Sequence, residues 1–250
     1  MSTLHRREFH GKLIGSAFSF SLIEMLWHND LFAADVKPEV GKWFLSLNEI
    51  GKDLKGQKLK DTEFQVKLED LYKKVDLAAL LQFVELDKIA ERVKLPDNGA
   101  FSASFNLSQV EGLSKLTFGR QIFCMKKGRA VVPHGHQNMC TGFIVMRGEF
   151  RGRHYDRLET QKDFYIIKPT IDQTFKAGGV STVSDHKDNI HWFHCNSDTG
   201  FIFNLHYTGY DPKITEPSGR LYLDPEGEKV DGGLIKAMKM TSGECHKKYG

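Results

Sequence analysis

From Ala100 onward the chain breaks into short apolar or alternating runs separated by Gly, Asp and Asn: Leu116 to Phe123, Ala130 to Val132, Gly142 to Met146, Phe164 to Ile167 and Phe201 to Leu205. Runs this short read as strands, because a buried helix needs about ten residues of 3.6-period spacing. A succession of such strands buries its apolar faces only by closing into a barrel or stacking as two sheets. Residues 100–225 are therefore expected to form a mainly β barrel.

The segment before it has a different texture. Across residues 38–95, Phe64, Leu68, Leu71 and Val75 recur at helix spacing, and Asp76 stands as an N-cap before Leu77-Ala-Ala-Leu-Leu. Pro96 and the Asp97-Asn-Gly99 turn end the segment. Residues 35–99 are expected to form a helical layer over one barrel face. After Leu223 the strand signals weaken, and the Lys-rich residues 226–250 read as a frayed tail.

A formal charge of +3 over 250 residues is too small to imply a nucleic-acid partner. Four cysteines without Cys-x-x-Cys spacing argue against structural zinc. Residues 1–34 begin with Arg6-Arg7-Glu-Phe9 and continue through an apolar stretch to Ala33-Ala34. That order matches an export signal of the twin-arginine kind and implies a periplasmic or otherwise exported protein, in which one disulfide could form. An amphipathic helix docked on the barrel, in a cytoplasmic protein, is the alternative. Glu24 interrupts the stretch short of the ~20 residues a stable membrane span needs.

The chemistry concentrates at His134 and His136 in Gly128-Arg-Ala-Val-Val-Pro-His134-Gly-His136. Residues two apart on a strand share a face, so both imidazoles project into one space, which begins a transition-metal site. Gly128, His134, His136 and Gly148 fall on the first motif of the cupin family, which this segment resembles. The resemblance implies a double-stranded β-helix (cupin) barrel and a third histidine from a second motif. His191 is the natural candidate, with His186 and His194 as alternatives. Thr141 occupies the position at which a cupin normally supplies a carboxylate ligand.

A three-histidine set without a carboxylate resembles the thiol dioxygenases: cysteine dioxygenase and the plant cysteine oxidase and cysteamine dioxygenase group. Asn189-Ile-His191-Trp-Phe is similar to the third-ligand segment of the latter, and Phe203-Asn204-Leu205-His206-Tyr207 to a Ser-x-His-x-Tyr segment of the former. The resemblance implies Fe(II) on His134, His136 and His191, His206 orienting substrate or O2, and an early-strand arginine, by region Arg120, holding a substrate carboxylate. The expected substrate is cysteine, another aminothiol or a mercapto acid. Zn, Mn or Ni at the same site would instead serve an O2-independent isomerase or lyase, with His206 or Tyr207 as general base. A cupin that binds metal or ligand without catalysis is the third reading. Cupins often pair through barrel faces, so a homodimer is also expected. Arg147, Arg151 and Arg153 read as a solvated turn.

Overall fold

The computed structural model describes residues 36–250, so the export-signal reading of residues 1–34 lies outside the described residues. Four helices come first: α1 (Val36–Lys55), α2 (Asp61–Lys74), α3 (Leu77–Phe83) and α4 (Leu86–Arg92). Asp76 caps α3 by accepting the Ala79 N–H at 2.7 Å. Among the described residues, no helix is long and apolar enough to cross a membrane.

Twelve strands follow: β1 (Phe101–Ala103), β2 (Gly119–Lys126), β3 (Ala130–Gln137), β4 (Met139–Arg147), β5 (Glu149–Thr160), β6 (Phe164–Lys176), β7 (Val180–Val183), β8 (Ile190–Cys195), β9 (Thr199–Thr208), β10 (Gly219–Tyr222), β11 (Glu228–Val230) and β12 (Leu234–Met238). They form two antiparallel sheets, ordered β1-β2-β9-β4-β7 and β10-β3-β8-β5-β6-β12-β11. Without the added edge strands, the orders are β2-β9-β4-β7 and β3-β8-β5-β6. That interleaving is the eight-strand jelly roll, two Greek keys wound together, and is the double-stranded β-helix of a cupin barrel.

Three apolar layers hold this arrangement. Inside the barrel, Phe123, Phe143, Val145, Phe150, Phe175 and Phe193 pack between the sheets. On the outer face of the first sheet, Cys140, Ile144, Phe203, Leu205 and Tyr207 meet Trp43, Phe44, Phe64 and Tyr72 of the helical layer. Residues 142–146 of β4 are therefore buried on both faces, which explains a continuous apolar run where a half-exposed strand would alternate.

The third layer covers the second sheet, where the structure corrects two sequence expectations. Residues 226–250 do not fray. Strand β12 pairs with β6, and the Lys-rich end forms α5 (Ser242–Tyr249), with Cys245 and Tyr249 buried against Trp192 and Leu223. A capping box at Thr241 and Glu244 starts α5. Only two apolar residues one turn apart seat it, too few to stand out among lysines. Arg151 and Arg153 lie within the long strand β5, not in a turn. Their side chains are held outside the barrel, Arg151 by both oxygens of Asp172 (2.8 and 2.7 Å) and Arg153 over the Trp192 ring at 4.5 Å. All four cysteines are free and buried.

Candidate metal centre

Strand pairing builds the centre. His134 and His136 both turn inward from β3, and His191 on β8 sits directly across the ladder from His134. The rings converge, with centroids 5.1 Å apart for His134–His136, 4.4 Å for His134–His191 and 4.8 Å for His136–His191. One ring nitrogen of each lies within 4.8 Å of the others. Gly135 between the first two is required for close approach: a Cβ there would meet Asn189 Oδ1 at 2.6 Å. That Asn189 amide clamps the strand end, donating to His136 O (3.0 Å) and Ser184 O (3.1 Å) and accepting from His136 N.

The second nitrogen of each ring is engaged. His134 Nδ1 lies 2.8 Å from Val132 O and His191 Nδ1 3.3 Å from Asn189 O, so both Nδ1 atoms carry the proton and donate. Thr141 Oγ1 is 3.3 Å from His136 Nδ1, so the residue in the carboxylate position orients a ligand from behind. This leaves the Nε2 lone pairs facing one another, and His191 Nε2 is buried with no hydrogen-bond partner. Burial pushes all three pKa values down, His136 to about 3; Arg220 adds to the effect at His134 and His136, and neighbouring imidazoles add to it at all three. The rings are neutral at neutral pH. Neutral, preoriented imidazoles with an orphaned buried nitrogen fit a divalent metal ion, and the site is a three-histidine metal-binding site.

His186 and His194 do not join them. His186 is mostly exposed and bonded through Nδ1 to Asp61 at 2.7 Å, and His194 faces the outer side of β8 beside Asn196.

A cavity of about 200 Å3 opens from the centre, lined by His134, His136, Thr141, Phe143, His206 and Arg220, among others. His206 lies on β9 opposite Thr141 and Gly119; a Cβ at Gly119 would fall 2.0 Å from its Nε2, so the ring rests on that glycine. Burial, then Arg220, lowers the His206 pKa, keeping it neutral. Gln121 and Asn204 complete one wall and bond to each other at 2.9 Å.

Two residues expected here are elsewhere. Tyr207 follows His206 on the strand and so takes the opposite face, where it is fully buried in the helical layer and donates to Leu47 O at 3.2 Å. Arg120 likewise turns away from the cavity; its Nε–H donates to Phe105 O at 3.0 Å and its guanidinium lies over the Phe105 ring. The arginine that lines the cavity is Arg220 on β10, which pairs with His136 across the β3 ladder. Sequence reasoning missed it because β10 lies beyond the recognisable motifs and reaches β3 only through tertiary pairing.

No family model matches the chain, and no curated protein does. Among solved structures it is similar to an 11S globulin from Wrightia tinctoria (13% identity, 52% of this chain and 29% of that one, TM-score 0.36). It is also similar to an uncharacterised protein with a double-stranded β-helix domain from Klebsiella pneumoniae (12%, 48% and 82%, TM-score 0.34). A third similarity is to oxalate oxidase in complex with the substrate analogue glycolate (14%, 47% and 54%, TM-score 0.35).

Proposed function

We propose that His134, His136 and His191 hold Fe(II) and that the protein is a dioxygenase oxidising a small thiol to its sulfinate. The observation that carries this reading is the donor set: three neutral nitrogens, with a hydroxyl at Thr141 where a charged ligand would otherwise stand. Such a set leaves the charge of the ion unneutralised, which favours a thiolate beside it. Bound there, Fe(II) supplies the redox chemistry that lets O2 react with a thiolate.

The protein's own groups do the rest. Phe123, Phe143 and Met139 give the cavity an apolar wall that excludes water from the reacting sulfur. His206, neutral and lining the cavity, accepts the thiol proton on a ring nitrogen. The hydrogen-bonded Gln121–Asn204 pair lies beside these groups on the same sheet, so the substrate is oriented by rigid groups. In the overall reaction, R–SH and O2 give R–SO2⁻ and H+: both oxygen atoms end on sulfur, which supplies all the electrons that reduce O2.

The test is anaerobic purification and metal analysis, then oxygen uptake by the Fe(II) protein with a panel of small thiols. Stoichiometric iron, thiol-dependent uptake and a sulfinate product are expected. Stoichiometric zinc or manganese with no uptake would overturn the reading in favour of O2-independent Lewis-acid chemistry.

A further inference from the structure

We propose that α5 positions the metal ligands from outside the barrel: Cys245 fixes the bulge of β3 that aims His134, and Tyr249 braces the residue of β8 that follows His191. The proposal rests on the three-histidine centre and is independent of the thiol-oxidation reading.

The ladder between β3 and β8 is irregular at the ligands. Val131 pairs with Phe193 and His134 with His191, so Val132 and Pro133 together stand against Trp192 alone. Two residues opposite one make a β-bulge, which interrupts the ladder and re-aims the side chains beside it. Pro133 has no N–H to give to the ladder. The bulge also orients a ligand ring directly, since His134 Nδ1 bonds back to Val132 O at 2.8 Å. Whatever holds Val132 and Pro133 in place therefore holds His134.

Helix α5 supplies that hold from the other side of the sheet, where Cys245 and Tyr249 pack with Val132 and Trp192. The Cys245 thiol donates to Pro133 O at 3.3 Å, inside the bulge and one residue from His134. One helical turn on, the Tyr249 ring meets the Trp192 ring edge-on, centroids 5.2 Å apart, one residue from His191. Residues four apart lie on one face of a helix, so a single rigid element touches the chain neighbours of ligands on two strands. The end of α5 is tied down in turn. Lys248 and Tyr249 bond to Asp224, and Arg129, which leads into β3, donates to Gly250 O at 3.0 Å. A thiol is a weak donor, so its contribution is a fixed position more than bond strength.

The experiment uses the full chain loaded anaerobically with Co(II), whose visible bands report the geometry of its ligands and whose affinity is read by chelator competition. Cys245→Ala is expected to weaken Co(II) binding about tenfold and to shift the bands, as loss of a group that orients a ligand does. Cys245→Ser, which can donate to the same carbonyl, should restore most of the affinity. Tyr249→Leu should shift the bands through His191. Thr241→Ala breaks the capping box of α5 without touching the bulge, so it should lower the melting temperature and leave affinity and bands as in the wild type. If C245A does not fold, Cys245→Val, which fills the space without a donor, replaces it. Wild-type affinity and bands in C245A, or a loss in T241A equal to that in C245A, would overturn the proposal. A wild type that takes up no Co(II) would sink the centre and the proposal together. Sulfinate formation by the Fe(II) protein is scored separately: none formed, with Co(II) binding still weakened in C245A, would sink the oxidation reading and leave the role of α5 standing.

Discussion

Thr141 shows how much one side chain sets at this centre. Its hydroxyl reaches His136 Nδ1 from behind, so it positions a donor without adding charge. Thr141→Val removes that contact while keeping the shape, and metal affinity should fall about tenfold in a chelator competition. His191→Ala should empty the site outright, with metal analysis as the check; unchanged metal content would break the three-histidine assignment. At Gly119, alanine would drive the His206 ring out of its seat, since the added Cβ would overlap Nε2. G119A is expected to keep its metal and lose turnover, which separates the role of His206 from that of the ligands. The ligands were legible because strand period two places residues 134 and 136 on one face whatever else the fold does. The arginines were not. Gly119-Arg120 and Gly219-Arg220 are the same dipeptide, each opening a strand. Which arginine meets the cavity depends on which face of its strand is interior, and that is fixed by partners distant in sequence.

Among the elements, the helical layer is held by its aromatic contact with the barrel. Trp43 is fully buried, packs on Tyr72 and Phe203 at 5.5 and 5.7 Å, and donates its indole N–H to Leu71 O at 2.8 Å. Trp43→Ala should cost about 3–5 kcal/mol in equilibrium unfolding, whereas Asp76→Ala, which removes only the α3 cap, should cost about 1 kcal/mol. The helices were readable from Phe64, Leu68 and Leu71 because one face must be apolar. Strand β5 was not, because its outer face carries arginines and its bulges at residues 154–155 and 157–159 break the alternation. Helix α5 escaped for a related reason: its seat is two residues wide, and its start lies in a capping box that composition alone obscures.

For the whole molecule, acid is the expected weak point. His154 is fully buried behind the centre, bonded to Ser181 at 3.1 Å, and burial lowers its pKa to about 3. The unfolded chain takes up a proton near pH 6.5 that the folded chain refuses, so unfolding gains protons as the pH falls. Stability contributed by this residue is whole above that value and declines toward pH 3, by about 1.4 kcal/mol per pH unit once well below 6.5. Thermal melts of chelator-treated protein should shift downward steadily from pH 6.5 to 4.5, and a flat profile would contradict the burial of a neutral imidazole. The placement of β10 has a consequence of another kind. The three imidazoles are drawn from strands of the barrel itself, while Arg220 at the cavity rides on a short ribbon appended at the edge of the second sheet. The metal ligands and this part of the cavity rim thus lie on separable stretches of chain. Substitutions along residues 219–222 can therefore alter the cavity rim while the barrel strands that carry the imidazoles keep their places.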